Sequence, residues 1–208
     1  MDRHFQALPI HELGRGAGFR RPSQPEPVRV TLDSPALEVM TDLLRSSPAT
    51  IRPQAPVEGA NQYMLSRGIR LLLVVDEHET VLGVVTATDI LGGRAMRMAT
   101  ERGLKYRELI VADIMTAADE VEVLALDDVR GARVGHVIET LRRAGRQHAL
   151  VVDYEVTPAR GILEHPGRRP LVRGIFSTSQ LARQLGLPPP GGGEVARTFS
   201  EIGAALSH

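Results

Sequence analysis

The sequence predicts a mixed α/β (α+β) fold in which a β-α-β-β-α unit occurs twice in tandem. Three observations predict it. The same order of local patterns runs through residues 34–110 and again through residues 111–187 of the 208-residue chain, and such a repeat indicates duplicated structural units. Each copy contains a continuous aliphatic run, which is typical of a strand buried on both faces of a sheet. Each run follows an amphipathic helical pattern that ends at a glycine.

Each repeat opens with a Met-Thr motif that leads into a short extended segment. The first opening is residues 37–41 (LEVMT) and the second is residues 111–116 (VADIMT). Residues 49–51 (ATI) and 121–123 (VEV) follow, and their alternation favours a strand in each repeat.

An amphipathic helix is the next predicted element of each repeat. In the second repeat its apolar residues stand at i, i+3, i+4 and i+7: Val134, Val137, Ile138 and Leu141. The first repeat keeps this spacing more weakly, with Val57, Ala60 and Met64. Gly68 and Gly145 come directly afterwards, where a left-handed helix cap favours a residue without Cβ.

A buried strand and a hairpin complete each repeat. The strand of residues 71–76 (LLLVVD) is matched position by position by residues 148–153 (HALVVD). A second strand and helix then follow in residues 83–90 (GVVTATDI) and 174–181 (GIFSTSQL). The second hairpin is fourteen residues longer. Its insertion, near 158–171, is rich in turn-forming residues and is predicted to be an exposed loop.

Three segments lie outside the repeats. Residues 1–33 lack clear periodicity and are interpreted as an arm on the domain surface. Residues 188–208 begin with a Pro/Gly linker and continue as an amphipathic segment, whose apolar side is Val195, Phe199, Ile202 and Leu206. A helix that short needs a partner surface, either on its own domain or on a second subunit.

Composition excludes several classes of function. The net charge is zero and cysteine is absent, so the chain lacks the long-range positive field of a general nucleic-acid binder, and disulfides, thiolate metal sites and cysteine nucleophiles are excluded. The seven histidines have no ligand-like spacing, and no apolar run is long enough to span a bilayer or to form a signal peptide. We therefore expect a cytoplasmic protein that has no metal, no cofactor and no contact with nucleic acid or membrane.

The doubled motifs resemble the CBS family, specifically a stand-alone tandem CBS pair, or Bateman module. The resemblance covers roughly residues 36–186 and rests on residues 39–41, 68–76 and 83–90 together with their second copies. It implies two units related by a pseudo-twofold axis, which often pair as a dimer of two chains. It also implies an adenosine-containing ligand (AMP, ADP, ATP or S-adenosylmethionine) in the clefts between the repeats, with no resident cofactor.

The candidate site centres on the start of the helix after residue 86. A helix N-terminus favours phosphate, and hydroxyls at Thr86 and Thr88 add hydrogen bonds to it. Asp89 is placed to accept both ribose hydroxyls. By resemblance, Val121 and Val123 would sandwich the adenine, with two residues of the second repeat near the phosphate. The predicted nucleotide-binding set is Val84, Thr86, Thr88, Asp89, Val121, Val123, Gln147 and His148.

A structural interpretation of the same motif stays open. Thr86-x-x-Asp89 also fits a capping box, which needs no ligand. Ser177-x-x-Gln180 fits a capping box too, but Gln180 lacks the ionised acceptor for ribose. The pattern therefore predicts caps at both helices and favours one binding cleft over two. The weaker second cleft comprises Ala49, Ile51, Arg70, Ser177, Ser179 and Gln180, in which Arg70 can still hold a phosphate.

Two functions follow as hypotheses. The first is a non-catalytic regulatory module that binds an adenosine ligand between its repeats and is read by an unidentified protein effector. The alternative is a ligand-free dimerisation or interaction scaffold. An enzyme is not expected. IMP dehydrogenases carry such a pair, but their catalytic barrel needs ~250 further residues and a cysteine, and the repeats fill most of this chain.

Overall fold

The computed structural model of the protein describes residues 30–157 and 167–187. The strands of these residues are β1 (Thr41–Asp42), β2 (Thr50–Ile51), β3 (Leu71–Val75), β4 (Val81–Thr86), β5 (Thr116–Ala117), β6 (Val123–Ala125), β7 (His148–Thr157) and β8 (Gly167–Ser177). The α-helices are α1 (Val57–Arg67), α2 (Ala87–Leu91), α3 (Gly93–Arg102), α4 (Val111–Ile114), α5 (Leu126–Arg130), α6 (Val134–Ala144) and α7 (Thr178–Gln184).

The predicted β-α-β-β-α order is confirmed in both repeats, as β2-α1-β3-β4-α2 and β6-α6-β7-β8-α7. Gly68 and Gly145 end α1 and α6 with φ angles of 63° and 62°, so both are the left-handed caps that the sequence indicates. The first strand of the second repeat begins later than predicted. Residues 118–120 form a 3₁₀ turn, so β6 begins at Val123 and the predicted strand residue Val121 precedes it.

The strands form two four-stranded sheets that exchange an edge between the repeats. The first sheet has the order β2-β3-β4-β5 and the second β6-β7-β8-β1. β5 comes from the opening of the second repeat but pairs with β4 of the first, and β1 from the opening of the first repeat pairs with β8 of the second. In each sheet the first strand is parallel to the second and the remaining pairs are antiparallel. The two sheets thus have the same topology, as a pseudo-twofold relation requires.

The apolar residues of the two openings are exchanged between the cores in the same way. Ala36, directly before the first opening, and Val39 within it are fully buried in the core of the second sheet. Val111 and Ile114, from the second opening, are fully buried in the core of the first sheet. Burying a Val or Ile side chain contributes about 1.5–3 kcal/mol. Each core therefore depends on residues of the other repeat.

A third apolar cluster joins the two sheets. Leu71, Leu73, Val75 and Val84 of the first sheet are buried against Leu150 of the second. The alternate residues of β3, such as Leu72 and Val74, face the core of the first sheet. The aliphatic runs are continuous because both faces of these strands are covered.

The long hairpin of the second repeat is more regular than the sequence predicts. β7 and β8 pair from His148↔Ser177 out to Thr157↔Gly167. Residues 167–171, predicted as part of a loop, therefore form the start of β8, because an antiparallel partner strand satisfies their backbone hydrogen-bonding groups. The rest of that insertion, residues 158–166, lies outside the described residues.

Of the predicted terminal segments, only the inner end of the N-terminal arm, residues 30–33, is described. Residues 1–29 of the arm and the segment of residues 188–208 lie outside the described residues. At the inner end of the arm, the Val30 N–H donates to the Gln184 carbonyl over 3.1 Å, and the Val30 side chain is buried in the second core.

Two equivalent glycines allow the exchanged segments to approach the sheets. A Cβ at Gly83 would overlap the backbone carbonyl of Thr116 in β5, whereas the nearest atoms to a Cβ at Gly174 would be side-chain atoms of Met40.

We expect Gly83→Ala to lower the free energy of unfolding, as measured by urea denaturation, by about 1–3 kcal/mol. Gly174→Ala should lower it less, because a side chain can move more easily than the backbone. Gly59→Ala, in α1 with open space around it, is the control and should raise stability by about 0.5–1 kcal/mol. Equal stability of Gly83→Ala and wild type would contradict the close packing of β5.

Candidate functional site

Two clefts lie between the repeats, and the first is formed by two adjoining cavities. The cavities have volumes of about 290 and 410 Å³ and share Val84, Val121 and Leu150 in their walls. We call them together cleft 1. Its walls combine β4 and the start of α2 from the first repeat with the segments before β6 and β7 from the second.

The structure brings the predicted nucleotide-binding residues together in cleft 1. The residues that line its smaller cavity are Val84, Thr86, Thr88, Asp89, Val121, Gln147 and His148. Val123 lines the larger, more apolar cavity. Sequence reasoning missed three polar residues of this wall: Thr116, Glu122 and Arg146. Glu122 and Arg146 form an ion pair over 3.1 Å.

The Asp89 carboxylate completes the predicted capping box. Its Oδ2 accepts hydrogen bonds from the Thr86 N–H over 2.8 Å and from the Thr86 hydroxyl over 2.7 Å, and the Asp89 N–H donates to Thr86 Oγ1 over 3.3 Å. The structural interpretation of this motif is therefore confirmed. The box does not use all of the carboxylate's acceptor positions, because among the described residues Oδ1 has one long contact, 3.4 Å to Nη1 of Arg94, and each carboxylate oxygen accepts two hydrogen bonds.

Arg94 is a neighbour of this site that the repeated motifs do not indicate. Its guanidinium donates to Thr116 Oγ1 over 3.2 Å and to the Met115 carbonyl over 3.0 Å. Arg94 thereby connects Asp89 to the exchanged opening of the second repeat. It lies in α3, which follows the repeated β-α-β-β-α unit, so comparing the two copies does not find it.

His148 lies at the boundary of both clefts. Together with Leu71 it lines the smaller cavity of cleft 1 and also a cavity of the second cleft. Burial, and secondarily the nearby Arg70 guanidinium, lower the pKa of His148 to about 4. The imidazole is therefore neutral at physiological pH and takes part in the clefts as an uncharged donor and acceptor.

Cleft 2 is the pseudo-symmetric counterpart, and it also consists of two adjoining cavities. They have volumes of about 350 and 780 Å³ and share Leu43, Ser47 and Pro48. Of the residues predicted for the weaker cleft, those that line the smaller cavity are Ala49, Arg70, Ser177, Ser179 and Gln180.

Ile51 is the exception, and the strand register explains it. Thr50 pairs with Leu73 as Val123 pairs with Leu150, so Thr50 is the counterpart of Val123. Thr50 lines cleft 2, whereas Ile51 packs against the core of the first sheet. A displacement of one residue in a strand moves a side chain to the opposite face, and the prediction that Ile51 lines cleft 2 is wrong for that reason.

The predicted capping box at Ser177 and Gln180 does not form. Ser177 makes no side-chain cap of α7. The Gln180 amide instead contacts the first opening: its Oε1 accepts from the Thr41 hydroxyl over 2.7 Å, and its Nε2 donates to the Val39 carbonyl over 3.3 Å. Glutamine is one methylene longer than aspartate, and its side chain bonds to the exchanged segment rather than to its own helix.

Within residues 30–157 and 167–187, no group of three His, Cys, Asp or Glu side chains is arranged to hold a metal ion. In the same part of the chain, no helix has both the length and the apolar character needed to cross a bilayer.

Comparison with known families agrees with the resemblance in the first repeat. The model of the CBS domain family matches residues 38–95, which lie within that repeat. A curated relative, the meiotically up-regulated gene 70 protein of Schizosaccharomyces pombe, is 35% identical over 118 residues, or 52% of this chain. The chain spans only 14% of the length of that relative.

Similar solved structures have identities near 20%. An uncharacterized conserved protein of Pyrococcus horikoshii is 22% identical, with 73% of this chain and 92% of that chain covered and a TM-score of 0.48. CBSX2, solved in complex with AMP, is 19% identical, with coverages of 72% and 94% and a TM-score of 0.47. The CBS domain pair of protein MJ0100, solved with 5′-methylthioadenosine and S-adenosyl-L-methionine, is 21% identical, with coverages of 71% and 97% and a TM-score of 0.44.

The lowered pKa of His148 predicts a pH-dependent stability. Below its ordinary pKa of about 6.5 the unfolded chain binds a proton that the folded protein does not. This part of the stability is therefore complete above pH 6.5 and is lost as the pH falls towards 4. We expect urea denaturation to show a decrease of at most about 3 kcal/mol from this group, and His148→Gln to remove that decrease. His78→Gln, at an exposed position, is the control, and an unchanged pH profile in His148→Gln would contradict the assignment.

Proposed function

We propose that this chain, whose two repeats form a tandem pair of CBS domains, binds an adenosine-containing ligand in cleft 1 and acts as a non-catalytic regulatory module. One observation carries the proposal. The cavity around Asp89 and its neighbouring hydroxyls adjoins the more apolar cavity lined by Val121 and Val123, and the two share Val84, Val121 and Leu150 in their walls. A ligand with a flat apolar base at one end and a sugar at the other suits such a pair of cavities.

The polar end of cleft 1 offers defined partners for a ribose. Asp89 Oδ1 retains one acceptor position for a ribose hydroxyl beside its 3.4 Å contact with Arg94, and release of that long contact would provide a second, while Oδ2 stays in the capping box. The box fixes the carboxylate before the ligand arrives, so little side-chain entropy is lost on binding. The hydroxyl of Thr88 and the amide of Gln147 line the same cavity and can bond to the group attached to the ribose.

Regulation would follow from the position of the ligand between the repeats. A molecule in cleft 1 touches β4 and α2 of one repeat and the segments before β6 and β7 of the other. It therefore stabilises the relative position of the sheets that it fits best. A coupling of about 1–3 kcal/mol is typical of such switches and would be read by a protein effector.

Calorimetric titration of the full chain tests the proposal. AMP, ATP and S-adenosylmethionine serve as probes, and at least one is expected to bind with a Kd below 1 mM. Asp89→Asn keeps an oxygen acceptor for the cap but removes the charge that favours the ribose hydroxyls, so we expect at least about tenfold weaker binding, as for a lost hydrogen bond to a charged group.

The chain provides a matched control for Asp89. Asp113 also caps a helix, by accepting from the Ile110 N–H over 2.9 Å, and also pairs with an arginine, Arg102, but it lies outside both clefts. Asp113→Asn should change stability without changing the Kd. Wild-type protein that binds none of the three probes at millimolar concentration would refute the proposal, as would equal effects of the two substitutions on affinity.

The proposal includes a homodimer, supported by apolar side chains exposed on three helices. Leu65 in α1, Leu91 in α2 and Met96 in α3 expose 72%, 69% and 61% of their surface. We expect sedimentation to detect a dimer that Leu91→Glu dissociates, because a buried unpaired carboxylate is costly. Leu44→Glu, at an equally exposed position after β1 in the wall of cleft 2 and outside these helices, should leave the dimer intact. A monomeric wild-type protein would contradict this part. A dimer that ignores every nucleotide would favour the alternative scaffold function.

A further inference from the structure

Arg94 connects the Asp89 carboxylate to a segment of the other repeat. Its Nη1 lies 3.4 Å from Asp89 Oδ1 and 3.2 Å from the Thr116 hydroxyl, and its Nη2 donates to the Met115 carbonyl over 3.0 Å. A hydrogen bond between a guanidinium and a carboxylate is normally about 2.7–2.9 Å long. The contact with Asp89 is therefore far from its optimum and is the easiest of the three to release.

The exchanged opening that Arg94 holds belongs to the first core. At the end of α4 the Met115 N–H donates to the Val111 carbonyl over 2.9 Å, and Val111 is fully buried in that core. Thr116 begins β5 and pairs with Val84 in β4. Arg94 is therefore linked through Met115 to α4, none of whose described residues lines cleft 1.

The equivalent connection in the second repeat is direct. Gln180 stands where Asp89 stands in the first repeat. Its Oε1 accepts from the Thr41 hydroxyl over 2.7 Å, and its Nε2 donates to the Val39 carbonyl over 3.3 Å. A carboxylate cannot donate to a carbonyl, so Asp89 reaches the equivalent hydroxyl and carbonyl through the Arg94 guanidinium. Both repeats thus tie the start of this helix to the opposite opening, but in the first the link runs through a second side chain that a ligand can displace.

The acceptor positions of Asp89 make this link sensitive to a ribose. Oδ2 already accepts two hydrogen bonds, from the N–H and from the hydroxyl of Thr86. Oδ1 has two acceptor positions, and the contact with Arg94 uses one of them. Two neighbouring ribose hydroxyls can therefore both bond to Oδ1 only if Arg94 moves away from it. A ligand without these hydroxyls leaves the contact in place.

We propose that Arg94 is a positioning residue that couples the occupancy of cleft 1 to the exchanged opening of the second repeat. A ribose that takes both acceptor positions of Asp89 Oδ1 displaces Arg94. The guanidinium then bonds to Met115 and Thr116 alone and holds that segment more tightly, because its position is no longer a compromise between the two repeats. This coupling rests on the proposed function, since it concerns the same site, and it adds the route by which binding reaches a segment outside the cleft.

A pair of ligands tests the coupling in the wild-type full chain. AMP or ATP, whichever binds more tightly, is compared with its 2′,3′-dideoxy analogue, which has the same base and phosphates but lacks both hydroxyls. Hydrogen exchange measured by mass spectrometry follows residues 111–115, which lie outside the walls of cleft 1. We expect the saturating nucleotide to slow exchange in these residues. The saturating dideoxy analogue should leave exchange as it is in the free protein.

Arg94→Met and a matched control separate coupling from a general loss of stability. Arg94→Met keeps the aliphatic stem but removes the donors, so both positions of Asp89 Oδ1 are free for hydroxyls. The ratio of the Kd of the dideoxy analogue to that of the nucleotide should then rise by about threefold or more, and the nucleotide-dependent slowing of exchange should be lost. The ratio cancels the effect of the lost positive charge on the phosphates, which both ligands share.

Arg102→Met is the control. Arg102 lies in the same helix and holds the same opening through Asp113, outside both clefts. Its substitution should lower stability but keep both the Kd ratio and the slowing of exchange. Thermal denaturation of each variant verifies that it folds.

The outcomes distinguish the coupling from the function on which it rests. Absence of binding by both nucleotides overturns the coupling together with nucleotide binding in cleft 1. Binding of a nucleotide that slows exchange in residues 111–115 no more than its dideoxy analogue does overturns the coupling alone. A folded Arg94→Met variant that keeps the wild-type Kd ratio overturns it as well.

Discussion

The reciprocal burial of the two opening segments is the constraint on which the rest of this structure depends. Val39 of the first repeat completes the core of the second sheet, and Val111 of the second completes the core of the first. The edge strands β1 and β5 follow these residues into the opposite sheets. Because each unit contributes an edge strand to the sheet of the other, the two units cannot separate without breaking both sheets. The cluster around Leu73 and Leu150 then packs the sheets together.

The clefts are a consequence of that packing. The cluster between the sheets fills the centre of the interface, while the polar ends of β4 and β8 and the starts of α2 and α7 line spaces beside it. Duplication of the backbone produces two such spaces, and the side chains make them different. Asp89 and Glu122 give one an acidic wall, whereas Arg70 and its neighbours give the other a basic wall. Similar backbone geometry therefore carries different charges in the two spaces.

Local patterns predicted much of the fold and of cleft 1 because the determinants lie close together in sequence. The left-handed caps at Gly68 and Gly145 and the capping box at Asp89 each involve residues within one turn. Features that depend on residues far apart in the sequence were not predicted. The strand exchange, the contact of Gln180 with Thr41 and the approach of Arg94 to Thr116 all join segments that no local pattern connects. The one-residue displacement at Ile51 has the same origin, since strand register is fixed by the neighbouring strand.

The exchange of edge strands also governs how the chain acquires its structure during synthesis. Thr41 pairs with Ile175, 134 positions later, so the earliest described strand has no partner until β8 has been synthesised. Until then the apolar side chains of the first opening are without their core, and loop closure over that length is slow relative to local contacts. The nascent first half therefore passes through an incomplete, aggregation-sensitive stage, and commitment to the native topology comes late, when the last strand arrives.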